Sequence, residues 1–270
     1  MIDMKIVCVG AGSMAESMIH GWINKRIMKP EEISVMNKSD QDRLEFLSDE
    51  YGVNIVCQEK SELKNANFVL LAMKPKDVEA ALNGIKDKLS GNTVILSVAA
   101  GVSIDSIQKH VGNFAVARAM PNTSAKIGKS ATGVAWSKHV TLNQQHELRD
   151  LLSSIGSVTV VEEEQLHAVT GVAGSGPAYI YYFAEAMTEA AIANGLSKAD
   201  AKKLVRQTFA GAAEMLQQED FAELRVKVTS PNGTTAAGLD SLAENNFKNI
   251  VGECVTKASE RSKELGKEFK

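Results

Sequence analysis

The residues best suited to bind a charged ligand lie near the start of the chain, in the segment Gly10–Ala15. It reads Gly-Ala-Gly-Ser-Met-Ala, a GxGxxA pattern, between the β-branched run Lys5–Val9 and a helical pattern that continues to Trp22. The first glycine permits a tight turn, the second lets the backbone approach a pyrophosphate, and the small third residue lets the helix pack on its strand. The N–H groups at the helix N-terminus then attract the anion. This arrangement predicts a dinucleotide-binding turn, and the alternative is a tight turn without a ligand. The predicted cofactor contacts here are Gly10, Ala11, Gly12, Ser13 and Met14.

The end of the second predicted strand, Ile33–Asn37, bears on the choice of cofactor. A site for NAD usually has Asp or Glu at this position, which bonds the ribose 2′-hydroxyl. The chain has Asn37 instead, so no carboxylate repels an additional phosphate, and Lys38 and Ser39 provide a cation and a hydroxyl. The three residues favour NADPH, with NADH accepted at lower preference. The alternative is that Lys38 is a solvated surface charge and that Ser39 caps the helix beginning near Asp40.

Three further strand ends bring small or polar residues to the same expected edge. Ligands of doubly wound sheets lie beyond the carboxyl ends of the strands, and the continuous apolar run Phe68–Ala72 is typical of a parallel strand buried on both faces. Ordinary strand-to-helix turns are the alternative reading of each end. The residues concerned are Met73, Lys74 and Pro75, then Ala99, Ala100 and Gly101, and finally Pro121 and Asn122.

A hydroxyl-rich loop, Thr229–Thr235, interrupts the helical pattern of the second half. Hydroxyl side chains and a glycine before a helix are suited to receive a carboxylate, together with the N–H groups of the helix N-terminus. An elaborate helix cap is the alternative. Hydroxyls are poor general acids and bases, so the loop suits an enzyme whose cofactor carries the chemistry and whose protein orients the substrate.

The elements that must position these residues alternate between strand and helix up to Val161, and after that only helices are predicted. We predict strands at Lys5–Val9, Ile33–Asn37, Val53–Val56, Phe68–Ala72, Val94–Val98, Phe114–Ala119, Ala131–Trp136 and Ser157–Val161. We predict helices that include Lys76–Leu89, Leu142–Ile155, Phe221–Val228 and Ala236–Glu244. The alternating pattern predicts an α/β fold with a doubly wound sheet.

The segment Val169–Gly195 joins the two kinds of structure. Gly174, Ser175 and Gly176 break the preceding pattern, and Pro177 suits the first turn of a helix. Apolar residues then recur at helical spacing, which predicts one long helix. Ser175 follows no clear strand and no Lys completes a P-loop, which counts against a serine nucleophile or a phosphate loop. The segment is therefore a candidate domain junction.

Composition and the remaining motifs exclude several classes of protein. With 270 residues, 44% hydrophobic content, 23% charged content and a net charge of −3, the chain is typical of a globular protein and gives no reason to expect nucleic acid. Cys8, Cys57 and Cys254 form no CxxC pair and are expected to be buried free thiols, and the five histidines show no metal-ligand spacing. No GxSxG, HExxH or Walker sequence occurs. No apolar run approaches the roughly 20 residues that span a bilayer, and no signal peptide is recognised, so we expect a cytoplasmic protein without membrane contact.

Five motifs together resemble the pyrroline-5-carboxylate reductase family. They are GAGSMAESMIHG at Gly10–Gly21, MKP at Met73–Pro75, RAMPNTSA at Arg118–Ala125, GSGPAY at Gly174–Tyr179 and VTSPNGTTAAGL at Val228–Leu239. Their order and spacing agree with the family across essentially the whole chain. Asn232 stands where the family usually has a second glycine, and Val226 where an acidic residue is common. If position 232 needs a positive φ, Asn tolerates it better than most residues.

The resemblance implies a Rossmann-like NADP-binding domain at 1–162 and an all-α dimerisation and substrate-binding domain at 163–270, with dimers joined into a decamer. It implies hydride transfer from NADPH to the C=N bond of 1-pyrroline-5-carboxylate, a cyclic imino acid, giving L-proline. The active site would lie between the nicotinamide and the partner subunit's 230–235 loop. Ser230, Gly233, Thr234 and the N–H groups opening the helix after Thr235 would bind the substrate carboxylate. Thr235 would contact the ring nitrogen as the catalytic residue, and Asn122 and Ser175 would also contact the substrate.

Two rival functions remain at this point. A β-hydroxyacid dehydrogenase of related architecture would use a Lys in the long inter-domain helix as its acid, and the chain has no Lys between Gly174 and Leu196. A non-catalytic, cofactor-binding paralogue would show an eroded 229–235 loop, for which Asn232 is the only hint.

Overall fold

The computed structural model describes residues 4–56 and 60–267, without the side chains of residues 60 and 61. It divides into two compact units. One is an α/β unit that contains the residues up to Ser175 and those from Thr256 on, and the other is the helical unit Gly176–Val255. The domains 1–162 and 163–270 stay a prediction.

One mostly parallel sheet forms the centre of the α/β unit. In the described part of the chain its strands are β1 (Ile6–Val9), β2 (Ile33–Met36), β3 (Asn54–Ile55), β4 (Phe68–Leu71), β5 (Val94–Ser97), β6 (Ala115–Met120), β7 (Ser130–Trp136) and β8 (Gly156–Val160). Their order is β3-β2-β1-β4-β5-β6-β7-β8. The first six run parallel, β7 is antiparallel to β6, and β8 is parallel to β7. Each strand agrees with its prediction to within one residue at either end.

The helices that cover this sheet are α1 (Ser13–Asn24), α2 (Gln41–Tyr51), α3 (Lys60–Asn65), α4 (Val78–Ile85), α5 (Ile104–Val111), α6 (Leu142–Ser153) and the single turn α7 (Leu166–Val169). The other helices are α8 (Gly176–Ala193), α9 (Lys198–Met215), α10 (Phe221–Lys227), α11 (Thr234–Glu244) and α12 (Phe247–Lys267), whose last residues belong to the α/β unit. The predicted helix Lys76–Leu89 was too long, because 3-10 turns at Pro75–Asp77 and Lys86–Lys88 flank α4.

The central strands are continuous hydrophobic runs because each packs against two apolar layers, one on either face of the sheet. All four residues of β1, β2, β4 and β5 are buried. Alternate residues of these strands pack into two separate apolar clusters, one containing Trp22 and the other containing Ile107. The indole Nε1 of Trp22 donates to the carbonyl oxygen of Leu151 at 2.9 Å, which satisfies the one polar atom of this buried ring. Burial on both faces fixes the strands whose carboxyl ends form the predicted site.

The long helix predicted in the junction Val169–Gly195 is present after the Gly174–Gly176 break. The α-helix begins at Gly176, and a π-helical turn at Thr170–Gly174 precedes it. The side-chain Nδ2 of Asn122 donates to the carbonyl oxygen of Ala173 at 3.0 Å. A side-chain donor of this kind satisfies a carbonyl group that an irregular turn removes from the α-helical pattern.

The helical unit has almost no core of its own. Of its residues, all of which are described, only Ala201 and Val205 are buried. Phe183 packs edge-on against Phe209, with ring centres 5.9 Å apart, yet Phe183 itself is 41% exposed. The large apolar residues left exposed on the unit include Ile180, Tyr181, Tyr182, Leu204, Phe221 and Ile250. Exposed apolar surface of this extent marks a protein–protein interface.

Candidate active site

The turn at Gly10–Gly12 has the geometry of a pyrophosphate cradle. Gly10 has φ +100°, and a β-carbon placed on it would lie 2.5 Å from the carbonyl oxygen of Ala72. Only glycine fits both conditions. Gly12 is the N-cap residue of α1 and is exposed, as is Ser13, and no described side chain caps the helix. The first N–H groups of α1 therefore face an open position where an anion can bind.

A cavity of about 530 Å³ adjoins this turn. Five of the predicted cofactor residues lie together in its wall, namely Gly10, Asn37, Lys38, Ser39 and Met73. The sequence did not indicate five further residues of this wall, which are Asp77, Ala80, Ala81, Gly84 and Ile85. The small residues at 80, 81 and 84 lie within ten residues after the MKP motif, and their small size was the signal that could have indicated them. The size and position of the cavity suit the adenosine part of a dinucleotide.

The Asn37–Ser39 segment is arranged as a turn before α2. Asn37 Oδ1 accepts a hydrogen bond of 2.7 Å from the N–H of Lys38. The N-cap of α2 is Asp40, whose carboxylate accepts from the N–H of Arg43 at 3.0 Å. The alternative role of Ser39 as the helix cap is therefore wrong. Lys38 and Ser39 are both exposed at the cavity edge.

The residues that follow β4 and β5 differ in exposure and in what they contact. Lys74 is the exposed N-cap residue of the 3-10 turn that begins at Pro75. Ala99 is buried and Ala100 is exposed, whereas Gly101 has φ +80°. A β-carbon on Gly101 would lie 3.4 Å from the Cα atom of Gly266, so the last turns of α12 pack directly on the loop after β5.

Hydrogen bonds of its N–H group and of both side-chain polar atoms hold Asn122 at the end of β6. Its N–H donates to Ser130 Oγ at 3.0 Å, its Oδ1 accepts from the N–H of Ser124 at 3.1 Å, and its Nδ2 donates to Ala173 as described above. Pro121 beside it is buried. The structure thus brings Asn122 to the π-helical turn that leads to Ser175, whose N–H donates to the carbonyl oxygen of Thr170 at 2.8 Å.

An ion pair between the buried Arg118 and the half-buried Glu163 lies at the start of α5. The Arg118 side chain, 5% exposed, places Nη1 3.3 Å from Glu163 Oε1, and the same oxygen accepts a 2.7 Å bond from the N–H of Ile104. Burial lowers the pKa of Arg118, and the Glu163 carboxylate opposes this shift. The pair therefore connects β6 to the first N–H group of α5. No sequence signal predicted it, because its members are 45 residues apart.

His167 has a partner that the sequence did not indicate. Its Nδ1 lies 2.9 Å from Ser262 Oγ, in the part of α12 that belongs to the α/β unit. Burial lowers the pKa of His167, and the charges of Arg118 and Lys263 lower it further. The contact gives His167 a structural role between α7 and α12.

The loop before α11 forms a second helix N-terminus open to an anion. Helix α11 begins at Thr234 with Gly233 as its N-cap, so the expected start after Thr235 was wrong. Asn232 has φ +57°, which accounts for a residue type that tolerates the left-handed region. Gly233 N–H donates to the carbonyl oxygen of Ser230 at 3.0 Å, and Ser230, Thr234 and Thr235 are exposed. The residues that the structure describes provide no side-chain cap here.

Comparison with known proteins decides the family. The family model described as pyrroline-5-carboxylate reductase dimerisation matches residues 163–265, and one described as NADP oxidoreductase, coenzyme F420-dependent, matches residues 5–101. Pyrroline-5-carboxylate reductase 2 of Bacillus subtilis is 44% identical over 269 residues, which cover 98% of this chain and 96% of that protein. The chain belongs to the pyrroline-5-carboxylate reductase family.

Solved structures agree with this assignment. The pyrroline-5-carboxylate reductase of Coxiella burnetii has a TM-score of 0.93 and 34% identity, covering 97% of this chain and 98% of its own. The pyrroline carboxylate reductase of Plasmodium falciparum, solved with NADP bound, has a TM-score of 0.83 and 29% identity, covering 98% and 99%. The predicted fold class, a Rossmann-like doubly wound sheet followed by an all-α dimerisation domain, is confirmed.

The thiols and potential metal ligands among the described residues form no additional reactive site. Cys8 is a buried free thiol whose pKa burial raises to about 12, and Cys254 is a free, half-buried thiol. Cys57 lies outside the described residues. In residues 4–56 and 60–267, no cluster of His, Cys, Asp and Glu is placed to hold a metal ion, and no helix has the length and hydropathy to cross a membrane.

Proposed function

We propose that this member of the family is an NADPH-dependent pyrroline-5-carboxylate reductase, which reduces the C=N bond of 1-pyrroline-5-carboxylate to give L-proline. The observation that carries the proposal is the 44% identity to the Bacillus subtilis enzyme over 98% of the chain. The aligned region includes both the cofactor turn and the 229–235 loop.

The residues of the α/β unit fit a nicotinamide dinucleotide. The N–H groups at Gly12, Ser13 and Met14, next to Ala11, would bind the pyrophosphate. They open a helix of 12 residues that no described side chain caps. The cavity would take the adenosine part, with Met73, Lys74 and Pro75 at its edge. When bound, the cofactor supplies a hydride from its nicotinamide ring. The surface beside that ring would be provided by Ala99, Ala100, Gly101 and Pro121.

Lys38 and Ser39 would distinguish NADPH from NADH. A lysine ammonium and a serine hydroxyl at the cavity edge complement a 2′-phosphate, and Asn37 adds no negative charge beside them. Asp77 lies in the same wall and works against this preference. We therefore expect NADPH to be preferred and NADH to be used less well.

The loop before α11 would bind the substrate. Ser230, Gly233 and Thr234 surround the open N-terminus of α11, where a carboxylate gains both hydrogen bonds and a favourable helix dipole. The Thr235 hydroxyl would hydrogen-bond the ring nitrogen, to which a proton must be added as the hydride reaches the neighbouring carbon. Asn122 and Ser175 would complete the substrate contacts.

The exposed apolar helices would pair two chains into a homodimer, and dimers would associate further into a decamer. A subunit whose helical unit buries only Ala201 and Val205 leaves apolar surface that a second copy can cover. Sedimentation velocity of the purified protein tests both statements.

The decisive experiment follows NADPH absorbance after pyrroline-5-carboxylate is added. We expect NADPH oxidation in proportion to the L-proline formed. A protein that binds NADPH but shows no oxidation with this substrate would be the non-catalytic paralogue, and the proposed activity would be rejected.

A further inference from the structure

Arg43, in the first turn of α2, extends its side chain to the pyrophosphate turn. Its Nε donates a 2.8 Å hydrogen bond to the carbonyl oxygen of Ala11. Its Nη2 pairs with the Glu16 carboxylate, and its guanidinium carbon lies 5.0 Å from the ring centre of Phe46. A planar guanidinium held at two edges and on one face has a fixed orientation. That orientation directs the group toward α1 and the turn before it.

Glu16 explains why a cation is needed at this place. It lies in the first turn of α1, the helix whose N-terminus would receive the pyrophosphate. An unpaired carboxylate there would repel the anionic ligand. Arg43 neutralises it, and the Tyr51 hydroxyl donates to its other oxygen at 3.2 Å. Both members of the ion pair are about one quarter exposed, which reduces the screening of their charges by salt.

The backbone of Arg43 bonds to the residue that follows the segment that would bind the 2′-phosphate. Its N–H donates to Asp40, directly after Lys38 and Ser39. One residue therefore connects the segment that distinguishes the two cofactors with the turn that both cofactors share.

We propose that Arg43 is a positioning residue that orients the Ala11 peptide and neutralises Glu16, so that the turn accepts the pyrophosphate of either cofactor. In this role its guanidinium does not bind the 2′-phosphate. The inference rests on the proposed function in one respect, namely that the cofactor is a nicotinamide dinucleotide. It predicts that Arg43 controls affinity for NADPH and NADH equally, whereas Lys38 controls the choice between them.

Direct binding titrations with NADPH and with NADH test this without the substrate. Calorimetry would compare the wild-type protein with Arg43→Met, Arg43→Lys and Lys38→Met. Arg149→Met is the matched control, because Arg149 also stacks on an aromatic ring, Trp136, at 5.7 Å but lies on α6. We expect Arg43→Met to raise both dissociation constants about tenfold, with their ratio unchanged. Arg43→Lys should raise both by a smaller, equal factor, Lys38→Met should raise only that of NADPH, and the control should raise neither.

A double variant separates charge neutralisation from general damage. Glu16→Gln combined with Arg43→Met removes the unpaired carboxylate, so it should bind both cofactors more tightly than Arg43→Met alone. Thermal unfolding of each variant without cofactor shows whether the fold is kept, and Arg43→Lys replaces Arg43→Met in the comparison if the latter does not fold.

Two results would overturn the proposal. Selective weakening of NADPH by either Arg43 variant would make Arg43 a ligand of the 2′-phosphate. A double variant as weak as Arg43→Met would remove the neutralising role of the ion pair. Neither result depends on turnover. If the protein binds both cofactors as expected but does not reduce pyrroline-5-carboxylate, the proposed function is rejected and the role of Arg43 is not.

Discussion

Replacing Gly233 by alanine tests the substrate-binding role of the loop before α11. A β-carbon on Gly233 would lie 2.4 Å from Ser230 Oγ, 3.1 Å from the Ser230 carbonyl oxygen and 3.6 Å from its Cβ. Gly233 has φ −85° and ψ 173°, an extended conformation that alanine adopts without strain. The new methyl group must therefore displace the Ser230 hydroxyl, while the rest of the turn changes little.

The expected loss follows from one displaced hydroxyl. A hydrogen bond to a charged group contributes about 1.5–3 kcal/mol. If the Ser230 hydroxyl binds the substrate carboxylate, its displacement should lower kcat/KM for pyrroline-5-carboxylate roughly tenfold to a hundredfold. Alanine in place of glycine at an N-cap costs less than about 1 kcal/mol of stability, so the folded protein remains available for assay.

Steady-state kinetics at saturating NADPH, together with urea unfolding, measure both effects. Gly238→Ala is the matched control, because Gly238 lies on the same helix with no atom within 4 Å of its added β-carbon among the described residues. We expect that control to keep its activity and to gain up to about 1 kcal/mol of stability from helix propensity. In a Ser230→Ala background, Gly233→Ala should cause little further loss, since the displaced hydroxyl is already absent.

The outcome that contradicts this reasoning is a Gly233→Ala protein with unchanged kcat/KM. Such a result would mean that the Ser230 hydroxyl makes no contact that matters to the reaction, and that the loop binds through its N–H groups alone. A large additional loss in the Ser230→Ala background would instead show that the methyl group acts on the backbone of the turn.

Three further predictions concern cofactor choice, stability and pH. Lys38→Met should lower kcat/KM for NADPH about five- to tenfold and leave kcat/KM for NADH unchanged, with Lys64→Met on α3 as the control. Equal losses for both cofactors would reject the proposed contact of Lys38 with the 2′-phosphate. Glu163→Gln should lower the free energy of unfolding in urea by about 2 kcal/mol, because the buried Arg118 loses its charged partner. A cost no greater in the wild-type protein than in an Arg118→Met background would contradict this. Because the pKa of His167 is lowered in the folded protein, the unfolded chain binds the proton more readily, and the free energy of unfolding should fall as pH drops through about 6.5. Unfolding curves of His167→Gln should show a weaker decline with pH. An identical decline in the variant and the wild-type protein would contradict this assignment.

Burial explains why the strands could be predicted so closely. The runs that became β1, β2, β4 and β5 are apolar throughout because helices cover both faces of the sheet, and such runs are visible in a single sequence. The GxGxxA turn was equally visible, since the positive φ of Gly10 and its contact with Ala72 exclude other residues. The antiparallel direction of β7 was not visible, because strand direction depends on how a connection crosses the sheet.

Polar contacts between distant residues could not be predicted. Arg118 with Glu163, His167 with Ser262, and Arg43 with Glu16 are 45, 95 and 27 residues apart. Each requires only suitable side chains that the fold happens to bring within reach. No local period or motif connects them, unlike the i,i+4 pairs of a helix.

Gly10, Asn232 and Gly233 occupy positions with different structural requirements. Gly10 is required by its own geometry, because both its dihedral angle and the space around it exclude a side chain. Asn232, at φ +57°, needs only a residue that tolerates the left-handed region, so glycine and asparagine both satisfy it. Its departure from the family pattern is therefore no sign of an eroded loop. The proposed substrate contact of Ser230 requires the neighbouring Gly233, because a side chain there would displace the Ser230 hydroxyl, and that glycine is present. The feature that first favoured a non-catalytic paralogue thus gives it no support once the backbone angle is known.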